Sequence, residues 1–170
     1  MGSFAQAVLA GTLFGTPVAD TADIDLLQRQ HLAIPVMGAE KKDLRDNFEE
    51  GRGKHRHEAI DILAPRGTPV VAVADGHVAK LFTSAAGGIT IYQFDSAERF
   101  TYYYAHLDHY VAGLEAGMPV KKGDVIGYVG TSGNAPKNTP HLHFAIFRLG
   151  PEKQWWKGTA INPYPLLASR

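Results

Sequence analysis

The chain has no cysteine among its 170 residues. That excludes a disulfide framework, a thiolate zinc cluster and a cysteine nucleophile, and it fits cytoplasm and periplasm equally. An excess of either charge is also missing, since 17 basic residues offset 17 acidic ones. There is therefore no electrostatic case for nucleic acid or an anionic membrane as partner. Long apolar runs are absent too. Phe4 to Phe14 is mostly apolar, but no basic residue precedes it and it is too short to span a bilayer. No transmembrane segment is read elsewhere. Gln6 stands where a myristoylation signal needs Ser or Thr. Met1-Gly2-Ser3 fits a cloning remnant that replaces a native start or a removed signal peptide.

What remains is an ordinary globular composition, 45% apolar and 20% charged, with enough chain to bury about two-thirds of its unfolded surface. Residues 1–50 read as an N-terminal extension, partly helical or irregular. Asp23 to His31 fits a short helix with Thr21 or Asp23 as N-cap. Ala33 to Met37 reads as extended, and Lys41 to Glu50 as loop or short helix up to Gly51-Arg52-Gly53. From residue 57 the period becomes that of strands. They are expected at Ala59 to Leu63, Thr68 to Val73, His77 to Thr83, Ile89 to Phe94, Phe100 to Ala105, Val125 to Val129 and Leu142 to Leu149. Asp75-Gly76 is a hairpin dipeptide between the second and third of these, and Gly87-Gly88 marks another turn. Short, closely spaced strands without a long helix predict an all-β fold, as an open barrel or sandwich.

Eight histidines stand out in such a chain. His141 and His143 form an H-x-H pair opening a buried strand, and side chains at i and i+2 share a face. Upstream, His57 and Asp61 form H-x-x-x-D over the apolar segment Ile60 to Ala64. Packing explains a lone H-x-H, and a surface salt bridge explains a lone H-x-x-x-D. Together they place His57, Asp61 and His143 where core is expected, and burying them without a partner is costly. A cation satisfies all three, and two imidazoles with one carboxylate suit zinc with an open position. Alternation puts Tyr102, Tyr104 and His106 on one face, with Tyr103 and Ala105 on the other. If that strand adjoins the H-x-H strand, His106 joins the same cleft.

Other patterns carry less. Gly127, Gly130 and Gly133 are spaced G-x-x-G-x-x-G with Pro136 and Pro140 following, so a dinucleotide fingerprint is rejected in favour of a loop leading to His141. Gly117 to Gly127 has the cadence of a biotinyl or lipoyl carrier but no displayed Met-Lys motif. His55 reads as a solvated neighbour of the site, His77 and His109 as structural, and Asp108 as orienting a histidine or capping a loop. Tyr102 and Tyr104 suit the groove or the core equally. Trp155-Trp156 and Pro163 to Leu167 are expected to cover one end of the core, in preference to forming an exposed platform.

Five ordered blocks resemble one family: His57-Glu58-Ala59-Ile60-Asp61-Ile62, Ala64-Pro65-Arg66-Gly67-Thr68-Pro69-Val70, Tyr104-Ala105-His106-Leu107, Gly123-Asp124-Val125-Ile126-Gly127 and His141-Leu142-His143-Phe144. Over roughly residues 52 to 150 the chain is similar to the lysostaphin-type (LytM-like) zinc metallopeptidases. The resemblance implies one Zn2+ held by His57, Asp61 and His143, with His106 and His141 as the catalytic pair. It further implies a metallopeptidase domain over 51–170 whose all-β fold is mainly antiparallel with a groove, hydrolysis of stem or cross-bridge peptides of bacterial peptidoglycan, a monomer, and a periplasmic or extracellular site of action. Ala59 and Ala145 depart from the Gly and Glu usual in the family, which points to altered substrate fit and not to loss of activity. Members that lost zinc residues act as amidase activators, but all five positions are intact here.

Overall fold

The computed structural model describes residues 20–53 and 55–169. The expectations for Met1 to Phe14 fall outside them. The first helix, α1 (Thr21–Gln30), starts earlier than expected because Asp20 is its N-cap, its carboxylate accepting from the Ala22 N–H at 3.3 Å. It ends at His31, whose φ of 50° breaks the helical path. A single 3-10 turn follows at Lys41–Asp43.

Eleven strands come next. They are β1 (Gly51–Arg52), β2 (His55–Arg56), β3 (Ile60–Leu63), β4 (Pro69–Val71), β5 (Gly76–Ser84), β6 (Gly88–Asp95), β7 (Phe100–Tyr110), β8 (Pro119–Val120), β9 (Val125–Val129), β10 (His141–Leu149) and β11 (Gly158–Ile161). A short helix, α2 (Pro163–Ala168), closes the described chain. β1 and β2 make a two-stranded ribbon, and the other nine form one open, antiparallel sheet in the order β11-β10-β7-β6-β5-β8. β3 pairs with the first half of β10, and β9 joins β7 to β4. The all-β expectation holds, with the α-helices among the described residues lying before the first strand and after the last.

The expected hairpin at Asp75-Gly76 does not form, for β4 pairs with β9 and β5 with β6 and β8. Gly76 serves close packing, as a Cβ there would lie 1.9 Å from the Phe94 carbonyl oxygen. Asp75 is bound across the fold, accepting from the Lys122 N–H at 2.9 Å and the Lys121 ammonium at 3.1 Å. His109, expected in a loop, lies in β7, which runs further than its apolar pattern indicates.

Period-two alternation gives the sheet two unlike faces. Ile60 and Ile62 of β3, Tyr102 and Tyr104 of β7, and Leu142, Phe144 and Ile146 of β10 are all buried in one core. The tyrosine hydroxyls are satisfied there: Tyr104 donates to Gln93 Oε1 at 2.6 Å and Tyr102 to Gln30 Oε1 at 2.5 Å. The second bond ties α1 to the sheet. Leu27, Leu32, Val36 and Leu44 from the N-terminal segment join the same core. At the other end Leu166 and Leu167 of α2 cover it as expected. The tryptophan pair does not, since Trp156 is 60% exposed and Trp155 packs on Phe82 and Tyr92 outside the core. Among the described residues no helix is long and apolar enough to cross a membrane.

Candidate metal centre and cleft

The face of β10 opposite its core residues carries His141 and His143. In the ladder His143 stands directly across from Asp61 of β3 on one side and Ala105 of β7 on the other. Register alone therefore places Asp61 beside His143, because directly opposed residues share a face at close range. His57 arrives by a different route. It precedes β3, and Glu58 at φ 54° turns the chain so that the imidazole swings back over Asp61.

Three donor atoms result, nearly equidistant. His57 Nε2 lies 3.0 Å from Asp61 Oδ1 and 3.0 Å from His143 Nδ1, and the latter two atoms are 3.2 Å apart. His57 Nδ1–H donates to the Asn47 carbonyl at 3.1 Å, which leaves Nε2 as a lone pair aimed at the other two groups. Two imidazole nitrogens and a carboxylate oxygen converging in this way repel one another unless a proton or a metal cation lies between them. The donor set fits zinc, which takes imidazole nitrogen and carboxylate oxygen and is oriented by such outer hydrogen bonds. Burial alone would raise the Asp61 carboxyl, but hydrogen bonds and positive charge from His143 and His57 outweigh it and hold the group well below the usual carboxylate range. Desolvation lowers the His143 imidazole.

His106 reaches the cleft by a device that alternation does not foresee. Between Tyr104 and Leu107 β7 advances three residues while β6, from Ile91 to Ile89, advances two. His106 takes a φ of 60° at this bulge, where β7 leaves β10 and takes up β9 as partner. The extra residue corrects the expected grouping. Tyr102 and Tyr104 face the core, whereas His106 shares the cleft with Tyr103 and Ala105. Bulges re-aim a side chain in this manner. The His106 ring lies 5.0 Å from that of His141 and 5.6 Å from that of His143.

Both remaining imidazoles are set in the same tautomeric sense. His106 Nδ1–H donates to the Ser132 carbonyl at 2.8 Å and His141 Nδ1–H to the Thr139 carbonyl at 2.9 Å. Each thus turns an unprotonated Nε2 into a cleft of about 470 Å³. Burial, the largest influence, pushes His106 down to about 4. Its bond to Ser132 opposes this, and the neighbouring His143 and His141 add to it. The loop before β10 therefore does more than deliver the chain to His141, because its carbonyls hold both rings.

Two residues overlooked in the sequence touch the donor set. Arg52 donates to Asp61 Oδ2 at 2.9 Å, and Asn47 Oδ1 accepts from the Asp61 N–H at 3.2 Å. The Gly51-Arg52-Gly53 turn five residues before His57 was a usable signal for the first, and nothing marked the second. His55 is exposed on the cleft wall. Asp108 binds His109 Nδ1 at 2.8 Å and Arg66 Nε at 2.6 Å, so it orients no cleft histidine. His77 faces Glu98 at 3.8 Å and packs edge-on against Phe94.

Comparison with known proteins agrees with this geometry. The profile of peptidase family M23 matches residues 55–163. An L-Ala–D-Glu endopeptidase of Bacillus subtilis is 34% identical over 120 residues, covering 68% of this chain and 35% of that protein. A glycyl-glycine endopeptidase of Staphylococcus capitis is 31% identical over 114 residues, 66% of this chain and 29% of the relative. The chain thus spans about a third of each of these relatives. Among solved structures, a putative glycyl-glycine endopeptidase from Ruminococcus gnavus superposes with a TM-score of 0.68 at 33% identity, covering 84% of this chain and 61% of that one.

Proposed function

Because the chain belongs to peptidase family M23, we propose that it is a zinc-dependent endopeptidase that cuts peptide bonds in the stem or cross-bridge of bacterial peptidoglycan, in the periplasm or outside the cell. The observation that carries this reading is the triangle of His57 Nε2, Asp61 Oδ1 and His143 Nδ1, which lie 3.0, 3.0 and 3.2 Å from one another on the cleft wall. In this reading those three side chains hold one zinc, and His106 and His141 do the proton chemistry. A bound zinc would lower the pKa of water toward neutrality and polarise the scissile carbonyl.

The protein's own groups supply the rest. His106, held neutral by burial, and His141 present Nε2 to the cleft, where one accepts the proton of the attacking water. The imidazolium so formed faces the developing oxyanion and later returns the proton to the leaving amine. The carbonyls of Ser132 and Thr139 keep the rings turned the right way through both steps. Leu63 and Tyr103 line the cleft as well, and in this reading the substrate peptide runs over them.

Purified sacculi test the proposal. Incubation with the zinc-loaded protein should release cross-link-derived peptides identifiable by mass spectrometry, and chelation should abolish the release until zinc is restored. An unchanged muropeptide pattern with sacculi of both direct and glycine-bridged type would overturn the reading.

A further inference from the structure

We propose that a ribbon of aromatic rings leading out of the cleft binds the amino-sugar ring to which the scissile peptide is attached. The inference rests on the peptidoglycan reading above and adds a saccharide subsite to it. Tyr103 lines the cleft and meets His143 edge-on, with ring centroids 5.9 Å apart. Directly opposite it in the sheet stands Tyr92, with the two rings at 4.6 Å. Trp155 follows at 4.7 Å from Tyr92, then Phe82 at 5.3 Å and Trp156 at 5.0 Å from Trp155. The loop between β10 and β11 brings Trp155 to Phe82 of β5 and Tyr92 of β6, with Trp156 against Trp155.

Core packing does not account for the outer rings. Trp156 is 60% exposed and Phe82 41% exposed, and contiguous exposed apolar surface marks a binding site. The chemistry of the surface favours a sugar over an aliphatic side chain. Aromatic faces carry negative potential, which attracts the polarised C–H groups of a pyranose, while the hydroxyls of that ring need a polar rim. Lys80 brings a polar group to it, its ammonium lying over the Trp155 ring 6.0 Å from the centroid. The ribbon is continuous with the cleft through Tyr103. In peptidoglycan the stem peptide hangs from an amino sugar, so a peptide seated in the cleft must send its sugar out along one wall, and the aromatic wall suits it.

The test compares two substrates with one protein: cross-linked muropeptides that keep their disaccharides, and the same peptides freed of sugar by an amidase. In Trp156→Ala and Phe82→Ala the ratio of kcat/KM on the sugar-bearing substrate to that on the free peptide should fall about tenfold, through KM. An unchanged melting temperature confirms that the fold is intact. Independently, tryptophan fluorescence of the whole chain should titrate with an N-acetylglucosamine tetramer, and Trp156→Ala should abolish the response. A constant ratio, or no fluorescence response, overturns the subsite. So does a dimer in sedimentation that disperses on Trp156→Ala, because a second copy would then cover the ribbon. If the tetramer binds but neither peptide substrate is cut, the peptidase reading fails and the saccharide site stands.

Discussion

His143 and His106 lie 5.6 Å apart, ring to ring, yet their surroundings assign them different work. His143 Nδ1 points at Asp61 and His57, whereas His106 spends Nδ1 on a carbonyl and shows only Nε2 to the cleft. His143→Ala should therefore lose zinc and activity together, as measured by elemental analysis and sacculus hydrolysis. His106→Ala should keep its metal and fall about a hundredfold or more in rate. Equal zinc loss in both variants would refute the division. The depressed His106 also has a thermodynamic signature. Unfolded, its imidazole takes up a proton near pH 6.5, but folded it does so only at about 4. Between those values the unfolded chain binds more protons, so stability must fall as pH drops through that window. Melting curves of zinc-free protein should decline from pH 7 to about 4.5, and less steeply in His106→Gln. Parallel slopes would mean that His106 is not held neutral.

The strand elements were largely legible in the sequence because alternation of apolar residues reports a two-faced sheet directly. β9 matches its expected bounds, Val125–Val129, and the i, i+2 spacing correctly put His141 and His143 on one face. His106 exposes the limit of that reasoning. One extra residue at the β7 bulge reverses the face of everything after it, and no composition signal announces it when the residue in the left-handed region is histidine instead of glycine. The carbonyls of Asn47, Ser132 and Thr139 were illegible for a simpler reason: every residue has one. Asp75-Gly76 misled because glycine serves close approach as well as turns. The loop that holds His106 and His141 rests on such an approach. Gly133 sits at φ 71°, and a Cβ there would come within 2.3 Å of the Ala86 oxygen and the Gly88 nitrogen. Gly133→Ala should cost about 2–4 kcal/mol from backbone strain and overlap combined. Hydrolysis should drop with it, since the displaced Ser132 carbonyl no longer orients His106. Calorimetry and sacculus assays would detect both effects, and a variant with wild-type melting would contradict the packing described.

At the scale of the whole molecule, the described residues ahead of the motif blocks, from Asp20 onward, are built into the fold. Leu27 is fully buried in the core cluster, and Tyr102 of the central strand bonds Gln30 of the same helix. Leu27→Ala should destabilise the protein by about 2–5 kcal/mol, although Leu27 does not line the cleft. Urea denaturation is the suitable measurement. A change below about 0.5 kcal/mol, the size usual for surface sites, would mean that the helix is an appendage. Because His57 hangs on Asn47, loosening this segment should also weaken zinc retention.

The alternation within β10 has an outcome for adaptation. Leu142 and Phe144 are fully buried, and their neighbours in sequence are His141 and His143. Selection for heat tolerance acting on the apolar members of this ribbon would tilt it and so retune reaction chemistry in the same stroke. Laboratory evolution for a hotter or faster variant should leave residues 141–146 untouched, together with the 130–140 loop whose carbonyls orient two of the imidazoles, and gather its changes away from both, where durability can be adjusted without disturbing reactivity.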